Sequence, residues 1–249
     1  MTSSPLRGLR VVVTRPHAQA SALVDLLEGA GAVAVLVPVI EIVDPPDGGV
    51  GLADAVRSLG RGDWLVVTSP NGAERAAMAA GDGGLAAGVQ VAAIGPGTGA
   101  RAEAFGLSVT LVPERSIAEG LLEIFPQPPP EGGRVLLARA SDARQVLPEG
   151  LRSMGWPVDD VAAYQTIAVP VDESGAMACK GADVVAFTSS STVSHLIAAV
   201  GVDRLPGAIA SIGPATSQTI VTHGLDIAVE AEVHTIAGLV DAMVAEFGP

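Results

Sequence analysis

Residues 63–72 read DWLVVTSPNG, and residues 183–192 read DVVAFTSSST. Each stretch begins with Asp, continues as a short apolar run and then reaches Thr-Ser. A short apolar run that is followed by small polar residues is typical of a fully buried strand leading into a helix. We therefore predict that the same strand–turn–helix unit occurs twice in this chain.

The similarity between these two stretches extends along the chain. AIGPGT, which ends at Thr98, corresponds to SIGPAT, which ends at Thr216, and each is followed by a helical pattern and by FGLSV or HGLDI. A second pair consists of LRVVVTR, which ends at Arg15, and GRVLLAR, which ends at Arg139. The units therefore follow one another in the order a, b, a′, b′, which indicates an internal duplication.

Apolar strands alternate with helical patterns throughout. Residues 19–29 are one predicted helix, with three leucines on one face and Gly at its end. Strands separated by helices imply parallel sheets, and their continuous Val/Ile/Leu character implies that both sheet faces are covered. The predicted strands are residues 9–14, 33–37, 64–68, 91–94, 109–112, 134–138, 158–161, 184–188, 209–212 and 227–229.

Two extended segments predict where the chain crosses between domains. The segment VPVIEIV follows the second predicted strand, and AAYQTIAV occupies the equivalent place in the second copy. Two such crossings could pair as an antiparallel ribbon. The predicted domains are residues 1–38 with 169–249 (domain 1) and 44–163 (domain 2), with linker strands 39–43 and 164–168.

Charge and composition exclude several classes of partner. The chain of 249 residues has 14 basic against 27 acidic residues, and its formal charge of −13 repels phosphate backbones and anionic lipids. Aromatic residues are only 3 %, so no stacking surface for bases is expected. We expect neither nucleic acid nor a membrane as a partner.

The residues that bind metals or form disulfides are scarce. Cys179 is the only cysteine, and the four histidines lack ligand spacing, so no metal site or cofactor is predicted. The start MTSSPLRGLRVVV has no apolar stretch behind a basic segment, and no apolar run approaches the length of about 20 residues that spans a bilayer. These patterns predict a soluble, cytoplasmic protein.

The turns after the repeated strands are candidate anion sites. A helix N-terminus offers free N–H groups and a partial positive charge, and ligands of open α/β sheets bind at the carboxyl ends of strands. Ser69 and Ser189 could equally be ordinary N-caps. Gly95 and Gly213 allow a tight turn before a helix. Thr98 and Thr216 at these helix starts could bind an anion or could simply cap the helix.

Two types of side chain remain as candidates near these turns. Arg15 and Arg139 end equivalent strands, where a guanidinium group could hold a carboxylate bidentately or form an internal ion pair. Tyr164 is the only tyrosine, and it could donate a proton or serve in a core or hinge.

The ordered set of motifs resembles the uroporphyrinogen-III synthase family. The motifs are VVVTRP, VVTSPNG, AIGPGT, RVLLAR, SDAR, AAYQT, VAFTSSSTV and SIGPAT, and they cover nearly the whole chain. The resemblance implies two flavodoxin-like α/β domains joined by a two-stranded linker, with the first domain discontinuous. It also implies a cofactor-free hydro-lyase that closes hydroxymethylbilane into a ring with loss of water and inverts ring D through a spiro intermediate.

The resemblance also implies a site. The family's tyrosine, the favoured proton donor, falls on Tyr164, and the basic residue that usually follows it is Gln165 here. A monomer is expected. The implied substrate-binding residues are Thr14, Arg15, Ser69, Pro70, Asn71, Gly95, Thr98, Arg139, Ser189, Ser190, Ser191, Gly213 and Thr216.

Three other functions remain open at this point. One is a two-domain binding protein that closes on a small anion, although no signal peptide is visible. Another is a Rossmann-type methyltransferase or nucleotide enzyme, although the sequence lacks the glycine fingerprint. The third is a family member that has lost catalysis and serves as a regulatory module.

Overall fold

The computed structural model describes residues 4–249. Residues 1–3 belong to the predicted first domain and to the start that predicts no signal peptide, and they lie outside the described residues. The chain divides into two compact units. Unit 1 consists of the chain up to Glu41 together with Ile167–Pro249, and unit 2 consists of Ile42–Thr166.

Strands and helices alternate along the chain, as the sequence predicts. The strands are β1 (Arg10–Val13), β2 (Val33–Leu36), β3 (Ile40–Val43), β4 (Trp64–Val67), β5 (Gln90–Ala93), β6 (Val135–Ala140), β7 (Val158–Ala168), β8 (Val184–Phe187), β9 (Ala208–Ser211) and β10 (Val229–Glu230). The helices are α1 (His17–Gly29), α2 (Val50–Arg57), α3 (Pro70–Ala80), α4 (Pro96–Ala104), α5 (Ala118–Ile124), α6 (Val146–Ser153), α7 (Glu173–Lys180), α8 (Ser190–Val200), α9 (Pro214–Thr222) and α10 (Ile236–Phe247), with a 3₁₀ turn at Val202–Arg204.

Unit 1 contains a parallel sheet with the order β10-β9-β8-β1-β2. Counted within the unit, this order is the 2-1-3-4-5 of a flavodoxin-like sheet. From β1 the chain moves first to β2 on one side and later to β8 on the other. The carboxyl ends of β1 and β8 therefore flank the point where the strand order reverses, which is where such sheets bind ligands.

Unit 2 repeats this arrangement from a different part of the chain. Its sheet has the order β3-β7-β6-β4-β5, and the pairs among β7, β6, β4 and β5 are parallel. Strand β6 takes the place of β1 and β4 the place of β8, so its order reverses between β6 and β4. The prediction of parallel-sheet α/β units, the first one discontinuous, is confirmed.

The division between the units falls within β3 and within β7. The chain therefore passes from one unit to the other along these two strands. The predicted boundaries of the domains, and of the linker strands 39–43 and 164–168, stay a prediction.

Side chains alternate between two apolar layers, because neighbouring residues of a strand point to opposite faces. In unit 1, Val11 and Val13 pack into one cluster while Val12 packs into the other. In unit 2, Leu65 and Val67 are separated from Val66 in the same way. Both faces of each sheet are covered, as the continuous apolar strands predict.

Three strand predictions differ clearly from the structure. The strand predicted at residues 227–229 shares only Val229 with β10. Residues 109–112 form only one parallel bridge, between Leu111 and Ala92, because Pro113 follows at once and has no N–H group to continue the pairing. Strand β7 continues seven residues beyond the predicted end at Val161. Within the described part of the chain, no helix combines the length and the apolar character that crossing a bilayer requires.

Candidate active site

Tyr164 lies at the carboxyl end of unit 2's sheet, beside the turn that follows β4. Its hydroxyl donates a hydrogen bond to Ser69 Oγ at 3.0 Å. Ser69 Oγ also accepts the Gly72 N–H at 3.0 Å, so the serine is the N-cap of α3. Because its oxygen accepts both bonds, the Ser69 hydroxyl hydrogen is left to donate elsewhere. Ser69 can therefore cap α3 and still donate a hydrogen bond to a ligand.

The surroundings of Tyr164 keep its phenol protonated. The side chain is only 7 % exposed, and burial is the main cause that raises its pKa above the ordinary value. The negative charge of Asp142 raises the pKa further, while hydrogen bonds with Ser69 and Asn71 and the Arg75 cation partly offset the rise. A protonated phenol at neutral pH is a proton donor.

Arg75 lies near Tyr164 but belongs to none of the motifs that predict the site. Its guanidinium carbon lies 5.8 Å from the centre of the Tyr164 ring, and its terminal nitrogen pairs with Asp44 at 3.0 Å. It lies one helical turn beyond Asn71 on α3, a spacing that puts both side chains on one face. That spacing is the signal that could have found it.

The close approach of α3 to β6 depends on Gly72. A Cβ atom at this position would lie 2.6 Å from the carbonyl oxygen of Ala138. No side chain larger than hydrogen fits there without moving the helix or the strand. The start of α3, with Pro70 at its first position, is thus held against β6, which pairs with the strand that carries Tyr164.

The corresponding turn of unit 1 is also an N-cap. Ser189 Oγ accepts the Thr192 N–H at 3.4 Å and lies 3.1 Å from Ser191 Oγ. Ser190 Oγ donates to the Ala215 carbonyl at 2.9 Å, which ties this turn to the start of α9. Pro70 replaces this serine in unit 2 and has no hydroxyl for such a bond.

The two Ile-Gly-Pro turns are tight because other side chains pack on their glycines. A Cβ at Gly95 would lie 2.4 Å from Ser116 Oγ, and one at Gly213 would lie 2.8 Å from His234 Cδ2. Thr98 and Thr216, each on the first turn of its helix, are 5 % and 4 % exposed. Their expected ligand contacts stay a prediction.

A polar network supports only one of these two turns. Ser217 Oγ donates to Glu230 and also lies 2.8 Å from Ser211 Oγ, which accepts the Gly213 N–H at 3.4 Å. The equivalent positions in unit 2 hold Ala93, Gly99 and Val112, which pack together without polar groups. The duplicated turns are therefore built differently.

Arg15 and Thr14 lie where the strand order of unit 1 reverses. Arg15 Nε donates to the Gln19 carbonyl at 2.9 Å, and burial lowers the pKa of its guanidinium group. No carboxylate among residues 4–249 forms an ion pair with Arg15. Thr14 is fully buried, and its Oγ1 has no hydrogen-bond partner within the described chain. The half-buried guanidinium group of Arg15, which has no counter-ion among the described residues, can bind an anionic group.

Arg139 differs from Arg15, although the two end equivalent strands. Its Nε and one terminal nitrogen bind both oxygens of Asp160 at 2.6 and 2.5 Å, and its other terminal nitrogen binds the Arg144 carbonyl at 2.6 Å. The internal ion pair that the sequence left open is therefore present. Direct contact of Arg139 with a substrate stays a prediction.

The comparisons with known proteins decide the family. The sequence profile described as uroporphyrinogen-III synthase HemD matches residues 21–241. The chain belongs to the uroporphyrinogen-III synthase family. A family protein from Synechococcus elongatus is 33 % identical across 98 % of this chain and 97 % of its own length. The rice protein, named as the chloroplastic enzyme of the family, is 30 % identical across 86 % of this chain and 73 % of its own.

Two solved structures of the family have the same fold. The Thermus thermophilus synthase, a mutant form, matches with a TM-score of 0.69 at 18 % identity, over 96 % of this chain and 98 % of the other. The Helicobacter pylori protein matches with a TM-score of 0.61 at 14 % identity, over 96 % and 99 % of the two chains. At such low identity, these matches show that the fold is shared and support no further conclusion.

Proposed function

We propose that this protein closes hydroxymethylbilane into uroporphyrinogen III, a hydro-lyase reaction that releases water and inverts ring D through a spiro intermediate. Membership of the family supports the reaction. The hydrogen bond from Tyr164 to Ser69 at the start of α3 is the observation that carries the assignment of a proton donor to this chain.

The chemistry asks for one proton at the departing hydroxyl. The C–O bond breaks as that hydroxyl takes up a proton and leaves as water, and the remaining pyrrole system becomes a cation. In our proposal the Ser69 hydroxyl donates this proton and regains one from Tyr164, whose own hydroxyl already points at Ser69 Oγ. Ring closure then releases a proton from the attacked ring, and this proton returns the Tyr164 phenolate to the phenol, so protons and charge balance.

The carboxylates of the substrate need partners in a strongly acidic protein. A net charge of −13 opposes long-range attraction, so local groups must hold the ligand. Helix N-termini supply N–H groups and a partial positive charge, and the half-buried Arg15 supplies a full positive charge. We propose that the turns at Ser69, Gly95, Ser189 and Gly213, with Arg15, supply these groups.

Control of the product is mainly a matter of orientation. Attack at the substituted carbon of ring D gives the type III ring, whereas attack at its free carbon gives type I. Holding the reacting atoms in one geometry contributes more than one general acid, which adds about 10²–10⁴-fold.

The test is a reaction with freshly prepared hydroxymethylbilane, with the ring isomers separated by chromatography. We expect the type III isomer to dominate with the protein present and type I to dominate in a reaction without protein. A folded protein that binds the substrate but leaves the isomer ratio unchanged would be a binding or regulatory protein instead. Sedimentation and cell fractionation test the further proposal of a cytoplasmic monomer.

A further inference from the structure

The strand that carries Tyr164 has a local irregularity just before the tyrosine. Arg139 of β6 pairs with Ala162 of β7, yet the next residue, Ala140, pairs with Tyr164, so Ala163 is an extra residue. In a regular strand, consecutive side chains point to opposite faces. Here Ala163 and Tyr164 both pack into the same apolar cluster. The bulge therefore puts the tyrosine on the face where Ser69 lies.

The ion pair of Arg139 and Asp160 lies directly beside this bulge. It joins β6 to β7 on the opposite face of the sheet, where its side chains are 5 % and 23 % exposed. The same guanidinium binds the Arg144 carbonyl, while the Ser141 N–H binds the Tyr164 carbonyl at 3.0 Å. Strand β6, strand β7 and the loop after β6 are thus fixed together within a few residues of Tyr164.

We propose that Arg139 and Asp160 are positioning residues, which hold the bulge that sets the Tyr164 hydroxyl against Ser69. The inference rests on the proposed function only where it concerns turnover, because the placement of the tyrosine can be measured without substrate. A buried bidentate pair resists both sliding and twisting of two strands, which a single contact does not.

A neighbouring ion pair offers a matched control. Arg134, the residue before β6, binds Asp159 of β7 at 2.7 Å at the end of these strands away from Tyr164, and the two side chains are 31 % and 46 % exposed. Asp160→Asn leaves a buried cation without a counter-ion, and this variant can fail to fold. The double variant Arg139→Met with Asp160→Leu removes both charges and keeps the side-chain bulk, a replacement that buried pairs often tolerate.

The experiment is an alkaline titration of tyrosinate absorbance, since Tyr164 is the only tyrosine in the chain. Wild type and Asp159→Asn are expected to titrate above the ordinary value, because Tyr164 is buried. In the folded double variant the tyrosine is expected to lose its hydrogen bond to Ser69, so its titration should shift away from that of wild type. A titration like that of wild type in the folded double variant overturns the proposal, whatever its turnover.

Turnover gives a second readout. The double variant is expected to lose up to about 100-fold in kcat with a smaller change in KM, because misplacing a group by about 1 Å costs that much. Adding Tyr164→Phe to it is expected to cause little further loss, since both changes remove the same contribution. Full additivity of the two losses would also overturn the proposal. If wild type forms no type III ring, the proposed function fails, while the tyrosine titration still decides this inference.

Discussion

At the scale of single residues, Tyr164 and Ser69 depend on each other. The serine caps α3 and accepts the phenol's hydrogen bond, so one oxygen serves both the helix and the candidate site. Ser189 caps α8 in the same way, but the chain has no second tyrosine to pair with it. This asymmetry allows capping and chemistry to be separated by substitution.

Removing only the phenol hydroxyl should slow the reaction without stopping it. Tyr164→Phe is expected to lower kcat by about 10²-fold and by no more than about 10⁴-fold, because Tyr164 supplies the proton that Ser69 passes on and general acid catalysis contributes that much. The ratio of type III to type I product should stay high, since orientation is left intact. A steady-state assay with isomer analysis checks this, and complete inactivity of a variant with wild-type circular dichroism would contradict it.

Ser69→Ala should affect both stability and the tyrosine. Loss of the cap is expected to lower the free energy of unfolding by about 1 kcal/mol. Because the hydrogen bond with Ser69 lowers the pKa of Tyr164, its removal should raise that pKa further. The matched control, Ser189→Ala, should lose similar stability and leave the tyrosine titration unchanged. Equal titrations in the two variants would argue against the Ser69 contact.

At the scale of elements, the helix starts are fixed by how closely they approach the sheet. Gly72 faces the Ala138 carbonyl at a distance that excludes a Cβ, whereas Gly97 on the first turn of α4 faces open space. Both are glycines near a helix N-terminus, and the sequence does not distinguish them. Only the packing of α3 on β6 does so.

These two glycines should therefore respond in opposite directions to the same substitution. Gly72→Ala is expected to destabilise unit 2 by about 1–3 kcal/mol, because α3 or β6 must shift. Gly97→Ala is expected to stabilise it by about 0.5–1 kcal/mol, since alanine favours the helix. Thermal unfolding by calorimetry measures both changes, and an unchanged transition for Gly72→Ala would show that the close contact is absent.

At the scale of the whole molecule, the chain builds the same sheet order twice from segments that are differently connected. In unit 1, β1 precedes its sheet neighbour β8 in the sequence. In unit 2, β6 takes the place of β1 and β4 takes that of β8, yet β6 follows β4 in the sequence. Each unit has its own apolar layers. A titratable group that is buried in such a layer makes the free energy of unfolding depend on pH. The thiol of Cys179 is such a group in unit 1.

Burial raises the pKa of Cys179 to about 11. An unfolded thiol titrates at about 8.5–9, so its stabilising contribution is complete below that pH and is lost as pH rises towards about 11. We expect the free energy of unfolding of wild type to fall by about 1–2 kcal/mol more than that of Cys179→Ala between about pH 8 and pH 10. Urea titrations at the two pH values measure this, and parallel losses in both proteins would contradict it.

Part of the candidate site was readable in the sequence, and part was not. Duplicated Thr-Ser and Ile-Gly-Pro turns identified the carboxyl ends of β4, β5, β8 and β9, because such turns are local patterns at strand ends. Arg15 and Arg139 looked equivalent for the same reason, yet one lacks a described counter-ion and the other is fully engaged with Asp160. Strand register supplies that partner, and no local pattern encodes it.

The sequence by itself determined the alternation of strands and helices, the parallel sheets and the discontinuous first unit, because apolar periodicity and internal repetition are properties of short segments. The tertiary structure alone decided that Tyr164 meets Ser69, 95 residues away, and that a bulge turns it to that face. It also decided which of two equivalent arginines is buried in an ion pair. Such contacts depend on register and packing across strands, where a shift of one residue changes every partner.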